Sequence, residues 1–354
     1  MTKILYLLNY VGKGGTEKYV LDLIRSAGPE NCVLIYSEEG PGLEDFLRLN
    51  LKIFQVNMSG PFDFAAAKKI KQIIQAEKIT IVHAQFLREN YLAILAKMLG
   101  ARCRVIWTYH VDVPMGAAIR TLNKFMTSFN DKVITVSKFM YHQLQLKGVS
   151  SSKLKLIYNG VEGPSATYPI THLSERPVIS VVGRLREEKG QVFLLKSLAH
   201  FKKHYPEFNW VCHIYGEGPQ KNELVSLVKE LNLENFVHFK GFCTEKEMLY
   251  LKSDIVVVPS SNEALSYVAI EAMSYSRVVI ATNVGGLQEV VIDGETGLLI
   301  PYGNTQEMVD ALEKLFRDTE LVQKLSMGGR KHFEEQFTMK KMLEETFALY
   351  HTGI

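Results

Sequence analysis

Two acidic residues, Glu263 and Glu271, stand eight positions apart in the stretch PSSNEALSYVAIEAM. Paired carboxylates can hydrolyse a glycosidic bond, one as acid and the other as base or nucleophile. Along a helix, however, eight residues correspond to ~12 Å, whereas glycosidase carboxyls sit ~5 to 9.5 Å apart across the scissile bond. The surroundings point elsewhere. An apolar run, Ile255 to Val258, precedes the pair, and a Gly-rich turn, Asn283-Val284-Gly285-Gly286, follows it. This pattern predicts a buried strand, a loop carrying Glu263, and a helix starting near Leu265 or Ser266 that carries Glu271. Two acids so placed suit a long ligand held at two points, a sugar at one and a nucleotide at the other. The amides of Ala264, Leu265 and Ser266 at the helix start would face its anionic or hydroxyl groups.

What positions these residues is a series of strand ends. Short β-rich runs alternate with helical patterns from end to end, the signature of βαβ units and parallel sheets. The first half offers strands at Ile4–Leu8, Val33–Tyr36, Thr80–Ala84, Val105–Tyr109 and Val133–Val136. Val161 to Arg176, broken by Gly163, Pro164 and Pro169, reads as an interdomain linker. Alternation restarts at Val178–Val182, Val211–Tyr215, Ile255–Val258 and Val278–Thr282, and the chain closes with a helical pattern from Met339 to Tyr350. Gly183-Arg184, Gly216, Pro259–Glu263 and Asn283–Gly286 each follow a strand directly. Open parallel sheets bind ligands outside the carboxyl ends of their strands, so one site should gather all four.

Motifs in the first half are less specific. Gly12, Gly14 and Gly15 follow the first strand and precede an amphipathic helix with Tyr19, Val20, Leu23, Ile24 and Ala27 on one face. Glu17 stands where a dinucleotide fingerprint needs its third Gly, which disfavours a nicotinamide enzyme. The glycines suit either a tight turn or a loop whose amides approach a phosphate or an acceptor. His110 lies just beyond an apolar run, a place that suits a ligand to a hydroxyl or a satisfied structural histidine. Asp112 is a candidate to orient it.

The ordered set Gly14-Gly15-Thr16-Glu17, Asn159-Gly160-Val161, Gly183-Arg184-Leu185, Lys189-Gly190, Gly216-x-Gly218-Pro219, Glu263-x7-Glu271 and Gly285-Gly286-x-x-Glu289 resembles the retaining, nucleotide-sugar-dependent glycosyltransferases of the GT4 type. The likeness runs from about Lys3 to the last helix. It implies an α/β chain of GT-B fold, two Rossmann-like parallel-sheet domains facing across a cleft, with the C-terminal helix packing back on the N-terminal domain. The expected division is an acceptor-binding domain at 1–165, a nucleotide-sugar domain at 166–336, and the returning helix at 337–354. By the same resemblance Glu263 and His110 contact the donor sugar and Glu271 the nucleotide ribose. Gly14, Gly15, Gly183 and the amides of Ala264 to Ser266 approach the donor, and Gly216 and Phe242 lie near the base. Phe242 suits the core equally well. Arg184 and Lys189 supply the positive charge that a leaving diphosphate needs. Lys189, following Glu187 and Glu188, also suits an ordinary solvated helix start. Many relatives carry Gly-Phe-Gly where this chain has Ala264, Leu265 and Ser266, which would narrow the sugar pocket.

The implied reaction moves a sugar from a UDP- or GDP-sugar to the hydroxyl of a glycan, lipid-linked sugar or small molecule, with retention. No Asp-x-Asp follows any predicted strand, so transfer is expected without a metal or other cofactor. No HExxH or G-x-S-x-G is present. A same-fold epimerase and a non-catalytic partner subunit are the rival readings. The net charge of +3 in 354 residues, with no basic run interleaved with aromatics, argues against nucleic acid. Cys32, Cys103, Cys212 and Cys243 show no metal-ligand spacing and fit free thiols in a reducing compartment. Ile4 to Leu8 is too short for a signal sequence, so a cytoplasmic protein is expected. Ile119, Leu122, Phe125, Met126 and Phe129 recur at helical spacing beside Arg120 and Lys124. That stripe suits the core, or peripheral contact with an anionic membrane carrying a lipid-linked acceptor.

Overall fold

The computed structural model describes residues 2–352, which form two units. One comprises the chain up to Tyr158 together with the segment from Met342; the other is Asn159–Lys341. The sequence reading placed these divisions at 165 and 336.

The first unit is built on a seven-stranded sheet. Its strands are β1 (Ile4–Tyr10), β2 (Cys32–Glu38), β3 (Lys52–Gln55), β4 (Ile81–Ala84), β5 (Arg104–Tyr109), β6 (Lys132–Thr135) and β7 (Leu154–Leu156). They lie in the order β3-β2-β1-β4-β5-β6-β7, and every pairing is parallel. The second unit carries a six-stranded sheet of β8 (Val178–Val182), β9 (Val211–Tyr215), β10 (Val237–Gly241), β11 (Ile255–Val258), β12 (Val278–Thr282) and β13 (Leu298–Ile300), in the order β10-β9-β8-β11-β12-β13 and again all parallel. Both are therefore doubly wound Rossmann-like units, as the alternation implied. Parallel strands covered on both faces must be apolar throughout; all of β11 and β12 is buried. The strands that the apolar pattern did not delimit, β3, β7, β10 and β13, are the edges of the two sheets. Three of the four keep a residue exposed.

Val161 to Arg176 is not a free linker. Val161 donates to Phe337 O at 2.9 Å and accepts from Met339 N at 2.9 Å, while Ile170 is buried in the core of the second unit and its amide donates to Ser326 Oγ at 2.9 Å. Proline and glycine marked irregular backbone correctly, but such backbone can pack.

The final helix, Met339–His351, passes into the first unit, where its Tyr350 is buried. The Tyr350 hydroxyl lies 2.6 Å from His83 Nδ1 and 3.4 Å from the Tyr6 hydroxyl; His83 Nε2 lies 2.7 Å from Thr108 Oγ1, which in turn is 3.3 Å from the Tyr19 hydroxyl. This closed polar set sits among side chains with no access to water. Burial, with a smaller contribution from His110, lowers the His83 pKa to about 3, so the ring is neutral. Arg104 adds Nη1 and Nη2 bonds to the carbonyls of Tyr350 and Leu349, at 2.7 and 3.2 Å. The apolar surface of the helix and this set together hold it to the sheet. Tyr350→Phe keeps the ring but orphans His83 Nδ1, so denaturant unfolding should show a loss of about 1–3 kcal/mol. An unchanged midpoint would mean that the Tyr350 hydroxyl adds nothing to the hold on the helix.

Candidate functional site

In the second unit the carboxyl ends of five strands carry the expected residues. Gly183 and Arg184 follow β8, Gly216 follows β9, Phe242 follows β10, Pro259 to Glu263 follow β11, and Asn283 to Gly286 follow β12. Their loops meet backbone to backbone. The turn Glu187–Lys189 ends at Gly190, which has φ 69° and a Cα so close to β11 that a Cβ would lie 1.9 Å from Pro259 O. No side chain fits there. The amide of Ser261 donates to Glu188 O at 2.9 Å, locking the same two loops. Gly285, at φ 51°, lets the β12 loop approach likewise, and the Gly286 amide donates to Glu263 O at 2.9 Å.

This approach brings Lys189 to Glu263. Lys189 Nζ donates to Glu263 Oε1 at 2.6 Å, and Ser260 Oγ donates to the same oxygen at 2.9 Å. The helix following Glu263 is Tyr267–Ser274, capped by Ser266, whose hydroxyl accepts from Ala269 N at 3.3 Å. The Ser266 oxygen is therefore engaged in capping. Leu265 and Ser266 are buried and Ala264 is half-buried. Glu271, one helical turn on, is 6% exposed. Tyr250 donates to Glu271 Oε2 at 2.8 Å, and Lys246 pairs with Oε1. Burial first, and then the charge of Glu271, push the Tyr250 hydroxyl well above the usual tyrosine range, so it remains a donor.

Arg184 is exposed, and its guanidinium makes no ion pair among the described residues; its carbonyl accepts from Gln191 Nε2 at 3.0 Å. Phe242 is 64% exposed, which excludes the core alternative. A cavity of about 590 Å³ lined by Glu187, Gly190, Phe193, Lys196, Gln220 and Tyr302 holds Gly190 of the Lys189-Gly190 motif but none of the side chains expected to contact the donor.

In the first unit, Gly14 caps the helix Gly15–Ala27 and Gly12 lies just before it. The Glu17 carboxylate accepts from Gly12 N at 3.2 Å and from Gly14 N at 3.1 Å. Two amides that a phosphate would need are thus taken by the chain itself, a capping-box arrangement. His110 is half-buried after β5, with its Nε2 3.0 Å from Gln85 Oε1 and its ring packed edge-on to Tyr19 at 5.0 Å. Burial lowers its pKa to about 3. Asp112 does not orient it. Asp112 instead pairs with the buried Lys147 and accepts from the Tyr109 hydroxyl at 2.6 Å. Of the stripe beside Arg120 and Lys124, Met126 is buried, Leu122 and Phe129 pack on the core, and Ile119 and Phe125 are exposed.

Lys246, Tyr250 and Gln85 have functional-site contacts that the sequence did not disclose, because each lies 21 to 25 residues from its partner. Glu17 had a local signal, an acid three positions after a helix cap. No group of three potential metal ligands occurs among the described residues.

Comparison with known proteins gives this arrangement a context. Residues 13–162 match the model described as Glycosyltransferase Family 4, and residues 169–332 match Glycosyl transferases group 1. The N-acetyl-alpha-D-glucosaminyl L-malate synthase of Bacillus anthracis is 26% identical over 86% of this chain and 83% of its own length. The N-acetylgalactosamine-N,N'-diacetylbacillosaminyl-diphospho-undecaprenol 4-alpha-N-acetylgalactosaminyltransferase of Campylobacter jejuni is 31% identical over 66% of each chain. Anabaena Alr3699/HepE, solved in complex with UDP and glucose, superposes with a TM-score of 0.85 over 99% of this chain and 100% of that one, at 19% identity.

The loop contact at Gly190 gives a direct check. Gly190→Ala must leave the left-handed region or displace Pro259, so thermal unfolding should register a loss of at least about 1–3 kcal/mol. A wild-type melting temperature would show that the two loops can part freely.

Proposed function

As the chain belongs to the GT4-type glycosyltransferases of GT-B fold, we propose that it transfers a sugar from a nucleoside diphosphate sugar to an acceptor hydroxyl with retention of configuration. The observation that carries this reading is the pair of lysine-bound carboxylates that follow β11 in the second unit, Lys189–Glu263 in the loop and Lys246–Glu271 in the helix after it. Arg184 and Lys189 neutralise the diphosphate as it leaves, with the amides of Ala264 and Leu265 beside them. Glu263 accepts from a sugar hydroxyl once Lys189 turns to phosphate. Glu271 accepts from the ribose hydroxyls, and Phe242 and Gly216 lie beside the base. Uridine is the first base to test, because HepE was solved with UDP.

The resemblance assigns His110 to the sugar, Gly15 to the donor and the first unit to the acceptor. The names of the two relatives, one a diphospho-undecaprenol enzyme and the other a malate enzyme, support an anionic acceptor. Exposed Ile119 and Phe125 next to Arg120 and Lys124 would let the unit rest on an anionic membrane if the acceptor is lipid-linked. No helix among the described residues is long and apolar enough to cross one. Glu263 is assigned to a sugar hydroxyl, not to covalent attack, and the leaving phosphate assists acceptor deprotonation on the same face. A metal is not required, since Arg184 and Lys189 carry the charge.

The test is a product assay with UDP- and GDP-sugars, with and without chelator, offering sugar acceptors and lipid-linked acceptors in anionic vesicles. Transfer should persist in chelator and fall by about 100-fold or more in Lys189→Ala, the range for losing one such electrostatic partner. Product formed without any acceptor would favour an epimerase. No turnover of any donor would favour a non-catalytic subunit.

A further inference from the structure

His110 has a partner that nothing in its own sequence neighbourhood discloses. Gln85, fully buried at the end of β4, places its amide oxygen 3.0 Å from His110 Nε2, while its amide nitrogen donates to the His83 carbonyl at 3.2 Å. That second bond fixes which end of the amide faces the histidine. Turned over, the Gln85 oxygen would oppose the carbonyl of His83, and two acceptors would meet with no proton between them. The oxygen therefore faces the ring, and Nε2 must carry the hydrogen.

We propose that Gln85 is a positioning residue, which holds His110 as the neutral Nε2–H tautomer and so leaves Nδ1 as the ring's acceptor for a sugar hydroxyl. This rests on the placement of His110 at the sugar given above. The choice of amide over carboxylate is what matters chemically. A carboxylate on Nε2 would stabilise the imidazolium and make the ring a proton carrier; an amide oxygen orients the ring without adding charge. The surroundings agree. Tyr19 and Phe86 pack on the ring at 5.0 and 6.3 Å, and the Tyr19 hydroxyl, pushed up to about 12 by burial, is uncharged. His83, on the adjoining strand, is neutral and spends both ring nitrogens on Tyr350 and Thr108. The nearest acid in sequence, Asp112, is engaged with Lys147 and Tyr109. Burial holds the His110 pKa near 3, so the ring does not gain a proton as the pH crosses the neutral range. His110 is built to accept a hydrogen bond, not to shuttle a proton.

The experiment is long-range proton–nitrogen NMR of the histidine-labelled full chain, with His110 assigned by its loss in His110→Gln, alongside transfer kinetics. Wild type should show the neutral Nε2–H pattern, unchanged between about pH 5 and 8. Gln85→Met should release the tautomer and lower kcat by about tenfold or more at every pH, with little change in donor KM. Gln85→Glu keeps an acceptor but raises the His110 pKa. Its activity should approach wild type at high pH and fall as the pH drops through that raised value, because the imidazolium has no acceptor nitrogen. A structural role alone would not create this new acid limb. An Nδ1–H or imidazolium pattern in wild type, or wild-type kcat in Gln85→Met, would overturn the proposal. Unchanged transfer in His110→Gln would overturn the placement of His110 on the sugar and with it this role. The NMR pattern separates that failure from a wrong tautomer.

Discussion

A carboxylate taken out of water must be given a cation and hydrogen-bond donors, or it will bind a proton and cease to be a carboxylate. The second unit is organised around that requirement. Glu271, almost wholly buried, has Lys246 on one oxygen and Tyr250 on the other. Glu263, less deeply placed, has Lys189 and Ser260 on a single oxygen, leaving its other oxygen without a contact among these partners. Such pairs add little to stability once desolvation is counted. Their effect is to hold charge and direction in place before a ligand arrives, which is what a site that stabilises a leaving diphosphate requires. Gly190 and Gly285 let the loops that carry Lys189 and Glu263 lie backbone on backbone at the ends of β11 and β12.

The first unit meets the complementary problem, neutral polar groups inside a core. His83 is satisfied by Tyr350 and Thr108, and His110 by Gln85. The first unit also holds a charged pair, Asp112 with the buried Lys147, but at His83 and His110 burial keeps the imidazole neutral. In the Gly-rich loop, Glu17 performs the same task for backbone amides that a bound anion otherwise would.

Much of this was legible in the residues, for physical reasons that also explain the gaps. Central parallel strands are covered on both faces, so β1, β8, β11 and β12 stand out as mainly apolar runs. Edge strands such as Lys52–Gln55 and Leu154–Leu156 are covered less and blend into loops. Glu263, Lys189 and Arg184 drew notice because each lies in a loop between a strand and the next helix, where open parallel sheets bind ligands. Lys246 and Tyr250 did not, since a lysine and a tyrosine in a short amphipathic helix carry no sign of a carboxylate 25 and 21 residues away. Gln85 was hidden likewise. Asp112 misled because sequence proximity to His110 suggested a contact that Lys147 takes instead. Composition alone could not tell the packed coil around Ile170 from a free linker.

In the proposed reaction Glu271 is to hold the ribose of a nucleotide. Calorimetric titration with UDP and with 2',3'-dideoxy-UDP, in wild type and in Glu271→Gln, tests it most directly. The substitution should weaken UDP binding by about tenfold or more, about 1.4 kcal/mol, and removing the ribose hydroxyls should then cost nothing further. Equal affinity of wild type and Glu271→Gln for UDP would contradict the account.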